Sequence, residues 1–177
     1  MNNLILKPIT TANEKNIFIV EIQEAFQKAF EEIYGPCDEK ILPREDIEDS
    51  FNCKGSEAYV VEVNGVRVGG TIIVVDRETG FNSLHLLYVK TSSQNSGIGV
   101  KVWEAIEALH PETKIWETHT PYFEKRNIHF YVNKCGFQID QFWCEYFQPE
   151  HDMPDDDERD PDEGPDEMFR FIKVMKP

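Results

Sequence analysis

The chain has 177 residues, of which 40% are hydrophobic and 12% aromatic, which is enough for one domain with an ordinary core. Its formal net charge of −15 argues against a nucleic-acid or anionic-membrane partner, because polyanions would be repelled. The composition therefore favours a cationic partner or substrate. No apolar run is long enough for a signal peptide or a membrane span, so we expect a cytoplasmic protein.

The four cysteines are widely spaced and form no Cys-x-x-Cys pair or regular Cys/His pattern. A metal site built on cysteine needs such spacing, so we expect no metal site. We interpret the cysteines as reduced thiols, some of them buried as small apolar residues. They are Cys37, Cys53, Cys135 and Cys144.

The first predicted elements are a strand over 3–9, "NLILKPI", a helix over 14–33 and a shorter helix over 43–51. Thr11 or Asn13 can cap the longer helix. Apolar residues recur along this helix at Ile17, Val20, Ile22, Phe26 and Phe30.

The middle of the chain predicts an antiparallel meander of three strands. Two Val- and Ile-rich runs in "AYVVEVNGVRVGGTIIVVD" are joined by Asn64-Gly65, a strong hairpin signal. A third run, from Ser83 to Val89, follows a turn at Gly80.

Helical spacing of apolar residues then predicts a helix over 98–109. A strand over 113–118 and a second helix over 123–135 follow, and Gly136 stands where a helix C-cap glycine belongs. Strand character resumes in "FQIDQFWCEYF".

The segment 149–167, "PEHDMPDDDERDPDEGPDE", carries eleven acidic residues and one arginine. It has almost nothing to bury, so we expect an extended, mobile acidic loop. Because "MFRFIKV" after it resembles one more strand, the loop is an insertion. The chain therefore predicts a single α/β domain, 1–177, with a mixed sheet and the element order βααβββαβαββ.

The stretch "YVKTSSQNSGIG", residues 88–99, joins the third meander strand to the next helix. The first turn of a helix has free N–H groups and a positive dipole end, and glycines let a phosphate approach closely. A Rossmann fingerprint needs a small residue where Val102 stands, and a Walker A loop needs a Gly-Lys pair that the chain lacks. The chain therefore has neither of these nucleotide-binding motifs.

The pattern Gln94-x-x-Gly97-x-Gly99 resembles the acetyl-CoA pyrophosphate loop of the GNAT superfamily of N-acetyltransferases. "LHLLYV" stands at the family's spacing before the loop, and "HFYVNKCGF", 129–137, resembles the family's signature on the next helix. The element order is also similar. On these residues the chain is identified as a small, single-domain, bacterial-type member with an acyl-CoA N-acyltransferase fold.

The resemblance implies that acetyl-CoA is the acyl donor. Backbone at Tyr88 and Val89 would pair with its pantetheine arm like an added strand. The residues that would hold its pyrophosphate are Gln94, Asn95, Ser96, Gly97, Ile98 and Gly99.

Acetyl transfer to an amine needs a base for the amine and a proton donor for the leaving thiolate. The resemblance assigns the donor role to Tyr131, whose hydroxyl can donate without ionising. It assigns the base to His85, since an unperturbed pKa of about 6.5 suits that task. Ser83 stands where other members have a glutamate, so Glu117 and His119 remain alternative bases.

One coenzyme contact departs from the family. Many members have an asparagine seven residues before the tyrosine, and here Glu124 occupies that place. Asn127, one turn before Tyr131, is the substitute that we expect to contact the coenzyme. The alternative for Tyr131 is a core aromatic on an amphipathic helix.

The resemblance implies direct attack by a primary amine and a possible homodimer. The negative charge of the chain favours an acceptor amine that belongs to a small cationic molecule or a basic peptide. The acidic loop would concentrate such a cation near the acceptor entrance, an effect that salt weakens. The alternative function is a non-catalytic CoA-binding or cation-binding interaction module on the same fold.

Overall fold

The computed structural model describes residues 3–94, 96–148 and 167–176. The predicted α/β class and the order βααβββαβαββ are confirmed. Asn95 and, apart from Glu167, the predicted acidic loop lie outside the described residues. No helix within the described ranges is both long and apolar enough to cross a membrane. The chain divides after Lys114 into two compact units, which are described in turn.

The first unit is an antiparallel sheet with three helices, and its strands pair in chain order. The predicted hairpin turn is confirmed, because Asn64 and Gly65 have φ angles of 52° and 79°. The strands are β1 (Leu4–Pro8), β2 (Ser56–Val63), β3 (Val66–Val74) and β4 (Phe81–Val89), and the helices are α1 (Ala12–Tyr34), α2 (Arg44–Asn52) and α3 (Ile98–Leu109).

Helix α1 packs against the sheet of the first unit. Of the two predicted caps, Thr11 is the one used, since its hydroxyl accepts from the Glu14 N–H at 3.1 Å. The helix buries Phe18 and Ile22 in a core cluster that includes Tyr88 of β4. This core supports the end of β4 that leads into the glycine loop.

The second unit is a smaller antiparallel sheet with one helical segment. Its elements are β5 (Ile115–Pro121), α4 (Lys125–His129), β6 (Gln138–Trp143) and β7 (Met168–Val174). Strand β7 pairs with both β5 and β6. The predicted helix is part α-helix and part π-helix, because α4 continues into a π-helical turn over Phe130–Lys134. Gly136 follows with a φ of 80°, as a C-terminal glycine should.

Candidate functional site

The end of β4 and the loop after it are tied together by side-chain hydrogen bonds. Gln94 Nε2 donates to the carbonyl oxygen of Val89 at 3.0 Å. A short 3-10 turn, Thr91–Ser93, lies between them, and Ser96 Oγ donates to the Ser93 carbonyl at 2.6 Å. Gln94 therefore fixes the path of the loop relative to the strand end, a contact that the motif alone did not indicate.

Helix α3 begins with the geometry of an anion site. Gly97 precedes it with a φ of 74°, and among the described residues no side chain caps it and no acidic residue lies in its first turn. The first helical bond runs from Lys101 N to Gly97 O at 3.3 Å, which leaves the N–H groups of Ile98, Gly99 and Val100 ahead of it. These amides and the helix dipole favour a bound anion.

A pair of glycines in β3 lies opposite the end of β4. Gly69 pairs with Val89, and Gly70 pairs with Tyr88. A Cβ at Gly69 would lie 2.3 Å from the Tyr88 carbonyl oxygen, and one at Gly70 would lie 2.6 Å from the Phe18 ring. The close contacts of β3 with β4 at Gly69 and with Phe18 of α1 at Gly70 therefore require glycine at both positions. The hairpin prediction treated the two glycines only as strand residues.

The side chain of Tyr88 is buried, and its ring meets that of Phe18 edge-on with 5.2 Å between the centres. Its hydroxyl donates to Glu21 Oε2 at 2.6 Å. Glu21 also accepts from Arg67 Nε at 2.7 Å and lies 2.5 Å from Lys90 Nζ. We call Glu21, Arg67, Tyr88 and Lys90 the Glu21 cluster. No local sequence pattern predicts it.

The carboxylate of Glu21 is ionised at neutral pH. Burial acts to raise the pKa of Glu21, but hydrogen bonds from Lys90 and Tyr88 and the charge of Arg67 outweigh it, so the pKa lies below its ordinary value. Burial and the hydrogen bond to Glu21 raise the pKa of Tyr88, so its hydroxyl stays a donor.

His85 lies in a β-bulge of β4. The pairing with β3 skips from Leu86 to Leu84, so His85 is the extra residue. The residue is exposed, and its Nδ1 lies 3.3 Å from Ser50 Oγ on α2. Bulges re-aim side chains next to active sites, and this one directs His85 towards α2.

Tyr131 lies in the π-helical turn of the second unit and is buried. Its ring packs against Phe137 and Phe171, with 5.6 and 5.7 Å between ring centres. Burial raises the pKa of Tyr131 by more than a hydrogen bond with Thr118 lowers it, so the hydroxyl keeps its proton at neutral pH. Tyr131 is thus a core aromatic, and it is also in the protonation state that a proton donor needs.

The position that departs from the family lies at the start of α4. Glu124 precedes this helix, and burial raises the pKa of its carboxyl by more than Arg126 lowers it. Asn127 is half-buried within the helix, and its backbone carbonyl accepts from the Phe130 N–H. Glu124 and Asn127 are therefore both in the second unit with Tyr131.

The alternative bases lie on the other face of β5 from buried Thr118, because neighbouring strand residues alternate in direction. Glu117 accepts from Arg170 through Nε at 2.8 Å and Nη2 at 2.5 Å, and Arg170 also pairs with Asp140. His119 Nε2 lies 3.4 Å from Glu117 Oε1. Glu117 is therefore engaged as the ion-pair partner of Arg170.

The chain has relatives among known proteins. Residues 20–137 match the family model described as Acetyltransferase (GNAT) family. The Bacillus subtilis protein described as "Uncharacterized protein YrkN" is 44% identical over 161 residues, which are 90% of this chain and 87% of that protein.

Two solved structures have the same fold at low sequence identity. A GNAT family acetyltransferase from Elizabethkingia anophelis with acetyl-CoA bound has a TM-score of 0.65 and 14% identity, covering 99% of this chain and 100% of that one. A chimera of the spermidine N-acetyltransferase SpeG from Vibrio cholerae and hSSAT has a TM-score of 0.64 and 12% identity, covering 97% and 95%. The predicted fold is confirmed.

Proposed function

Because the chain belongs to the GNAT acetyltransferase family, we propose that it transfers an acetyl group from acetyl-CoA to a primary amine by direct attack. The observation that supports this most is the start of α3. Among the described residues no side chain caps its first amides. The loop before it is held to the end of β4 by the hydrogen bond from Gln94 to Val89. A pyrophosphate suits this place, because free N–H groups and the helix dipole both favour an anion.

Each predicted residue has one task in the proposal. Amides from Gln94 to Gly99 hold the pyrophosphate, and backbone at Tyr88 and Val89 pairs with the pantetheine arm. His85 takes a proton from the amine, whose nitrogen forms a bond to the thioester carbonyl carbon. The carbon–sulfur bond then breaks, and the Tyr131 hydroxyl protonates the leaving thiolate.

We further propose a small cationic amine as the acceptor. The net charge of −15 attracts cations, and one protein with the same fold is a spermidine N-acetyltransferase. Asn127 is the proposed additional coenzyme contact in place of the family's asparagine. We also propose that the chain is a single domain and that it is located in the cytoplasm. Its reduced cysteines support that compartment.

The anion site is tested with an isosteric pair of variants at Ser96, an exposed residue just before α3. Ser96→Asp places a negative charge beside the proposed pyrophosphate, whereas Ser96→Asn adds similar bulk without charge. Calorimetry with acetyl-CoA should show a Kd at least ~10-fold higher for the aspartate than for the asparagine variant. Equal Kd values for the two Ser96 variants would contradict the proposed coenzyme site. Failure of the unmodified protein to bind acetyl-CoA at millimolar concentration would also contradict it.

The chemistry is tested by release of free thiol across a panel of amines, polyamines, aminoglycosides and basic peptides. Tyr131→Phe keeps the ring packed against Phe137 and Phe171 but removes the hydroxyl, so we expect the rate to fall ~100-fold with little change in stability. Binding of acetyl-CoA without thiol release from any acceptor would favour the non-catalytic module instead.

A further inference from the structure

We propose that Glu21 of α1 is a positioning residue for the end of β4 that binds acetyl-CoA, an inference that rests on the proposed function. Its side chain is only 15% exposed. Its carboxylate faces Arg67 Nε at 2.7 Å, the Tyr88 hydroxyl at 2.6 Å and Lys90 Nζ at 2.5 Å. Arg67 belongs to β3 and Tyr88 to β4, while Lys90 directly follows β4. One helix residue therefore joins α1 to both strands at this point.

The contacts of Glu21 and Gln94 converge on the same short segment. Tyr88 and Lys90 flank Val89, whose carbonyl accepts from Gln94 Nε2. The backbone N–H of Lys90 also donates to the Val68 carbonyl at 2.8 Å. Element ends otherwise fray, and a ligand that adds to a strand needs a fixed row of backbone groups. Glu21 holds the side chains of Tyr88 and Lys90. Gln94 and β3 hold the backbone of Val89 and Lys90.

The charges of the Glu21 cluster distinguish positioning from simple attraction. Arg67 and Lys90 carry two positive charges and Glu21 one negative charge, so Glu21→Gln makes the strand end more positive. Attraction alone would then make anionic acetyl-CoA bind more tightly. Loss of positioning makes it bind more weakly, so the two explanations predict changes of opposite sign.

The test compares Glu21→Gln with Glu57→Gln in the full-length chain. Glu57 is a matched control, because its carboxylate also accepts from a tyrosine, Tyr59 at 2.6 Å, and from Arg77 at 3.1 Å, with its side chain 25% exposed. Calorimetry measures the Kd of acetyl-CoA and of ADP, which has the pyrophosphate but no pantetheine arm. We expect Glu21→Gln to raise the Kd of acetyl-CoA ~10-fold and that of ADP less than ~2-fold, and Glu57→Gln to change neither by more than ~2-fold.

Unchanged or tighter binding of acetyl-CoA to the Glu21→Gln protein would overturn the inference. An equal rise in the Kd of ADP would also overturn it, because it would indicate a general loosening of the binding region. If that variant does not fold, Tyr88→Phe keeps the ring against Phe18 and removes one anchoring bond. Its acetyl-CoA Kd should rise ~3-fold, and an unchanged Kd would overturn the inference. Failure of the unmodified protein to bind acetyl-CoA would refute the proposed function itself, so the two failures are distinct.

Discussion

Two carboxylates in the first unit have similar partners but lie in different settings. Glu21 accepts from the Tyr88 hydroxyl at 2.6 Å and faces Arg67 at 2.7 Å and Lys90 at 2.5 Å. Glu57 forms a second cluster with three groups of the same general kind. Its partners are the Tyr59 hydroxyl at 2.6 Å, His110 Nε2 at 2.9 Å and Arg77 Nη2 at 3.1 Å.

The two clusters differ in exposure and in what their partners are attached to. The Arg67 side chain is 20% exposed, whereas that of Arg77 is 68% exposed. Tyr88 belongs to the strand that leads into the glycine loop, while His110 directly follows the end of α3. The Glu57 cluster lines an open cleft of about 420 Å³. Similar hydrogen bonds can therefore order a proposed binding segment in one place and tie surface elements together in another.

The largest effect on stability is expected from Glu21→Ala. This change leaves Arg67 and Lys90, both largely shielded from water, without their common counter-ion. Breaking such a pair on one side should lower the free energy of unfolding by ~3 kcal/mol. Urea unfolding followed by tryptophan fluorescence measures it, and a loss below ~1 kcal/mol would show that water replaces the carboxylate easily.

A smaller loss, ~1.5 kcal/mol, is expected from Glu57→Ala. Exposed Arg77 can turn to water, but buried His110 loses the contact of its Nε2 at 2.9 Å, while its Nδ1 stays 3.4 Å from Glu112 Oε1. The same urea titration measures the loss. If Glu57→Ala destabilises the chain as much as Glu21→Ala does, then the difference in exposure between the clusters has no energetic consequence.

Much of the fold could be predicted from local patterns, because the residues that form each pattern are close in sequence. The Asn64-Gly65 turn and the helix from Ile98 to Leu109 lie where their residues predict them. The choice between Thr11 and Asn13 as cap could not be made, because both residue types favour that position and only the chain path selects one.

The polar part of the site depends on tertiary contacts and could not be predicted. Glu21 meets Arg67 across 46 residues of sequence and Tyr88 across 67, and a glutamate on a helix is usually solvated. The bulge at His85 depends on the register with β3, which the β4 sequence alone does not specify. Family resemblance supplied the candidate residues, but not the groups that hold them.

The contribution of Glu21 to the free energy of unfolding should depend on pH, which tests whether its charge stabilises the cluster. The pKa of Glu21 is lowered in the folded chain, so its stabilisation is present above the unfolded pKa and is lost as the pH falls through the folded pKa. The difference in unfolding free energy between the unmodified chain and Glu21→Gln should therefore stay constant from about pH 7 to about pH 5 and shrink from about pH 5 towards pH 3. A constant difference across that range would show that the charge of Glu21 does not contribute.

The smallest effect is expected from Arg77→Ala. The Arg77 side chain is 68% exposed, and its contacts are to Glu57 at 3.1 Å and to half-exposed Glu112 at 3.7 Å. Exposed ion pairs contribute little because water and salt screen them, so the loss should be ~0.5 kcal/mol or less and vanish in ~0.5 M NaCl. Arg67→Ala is the comparison variant, and it should cost several times more at either salt concentration because its partner Glu21 is shielded. Equal losses of unfolding free energy for the two arginine variants would mean that Glu21 holds β3 and β4 no more firmly than Glu57 holds its surface partners. The stability argument for Glu21 as a positioning residue would then be removed.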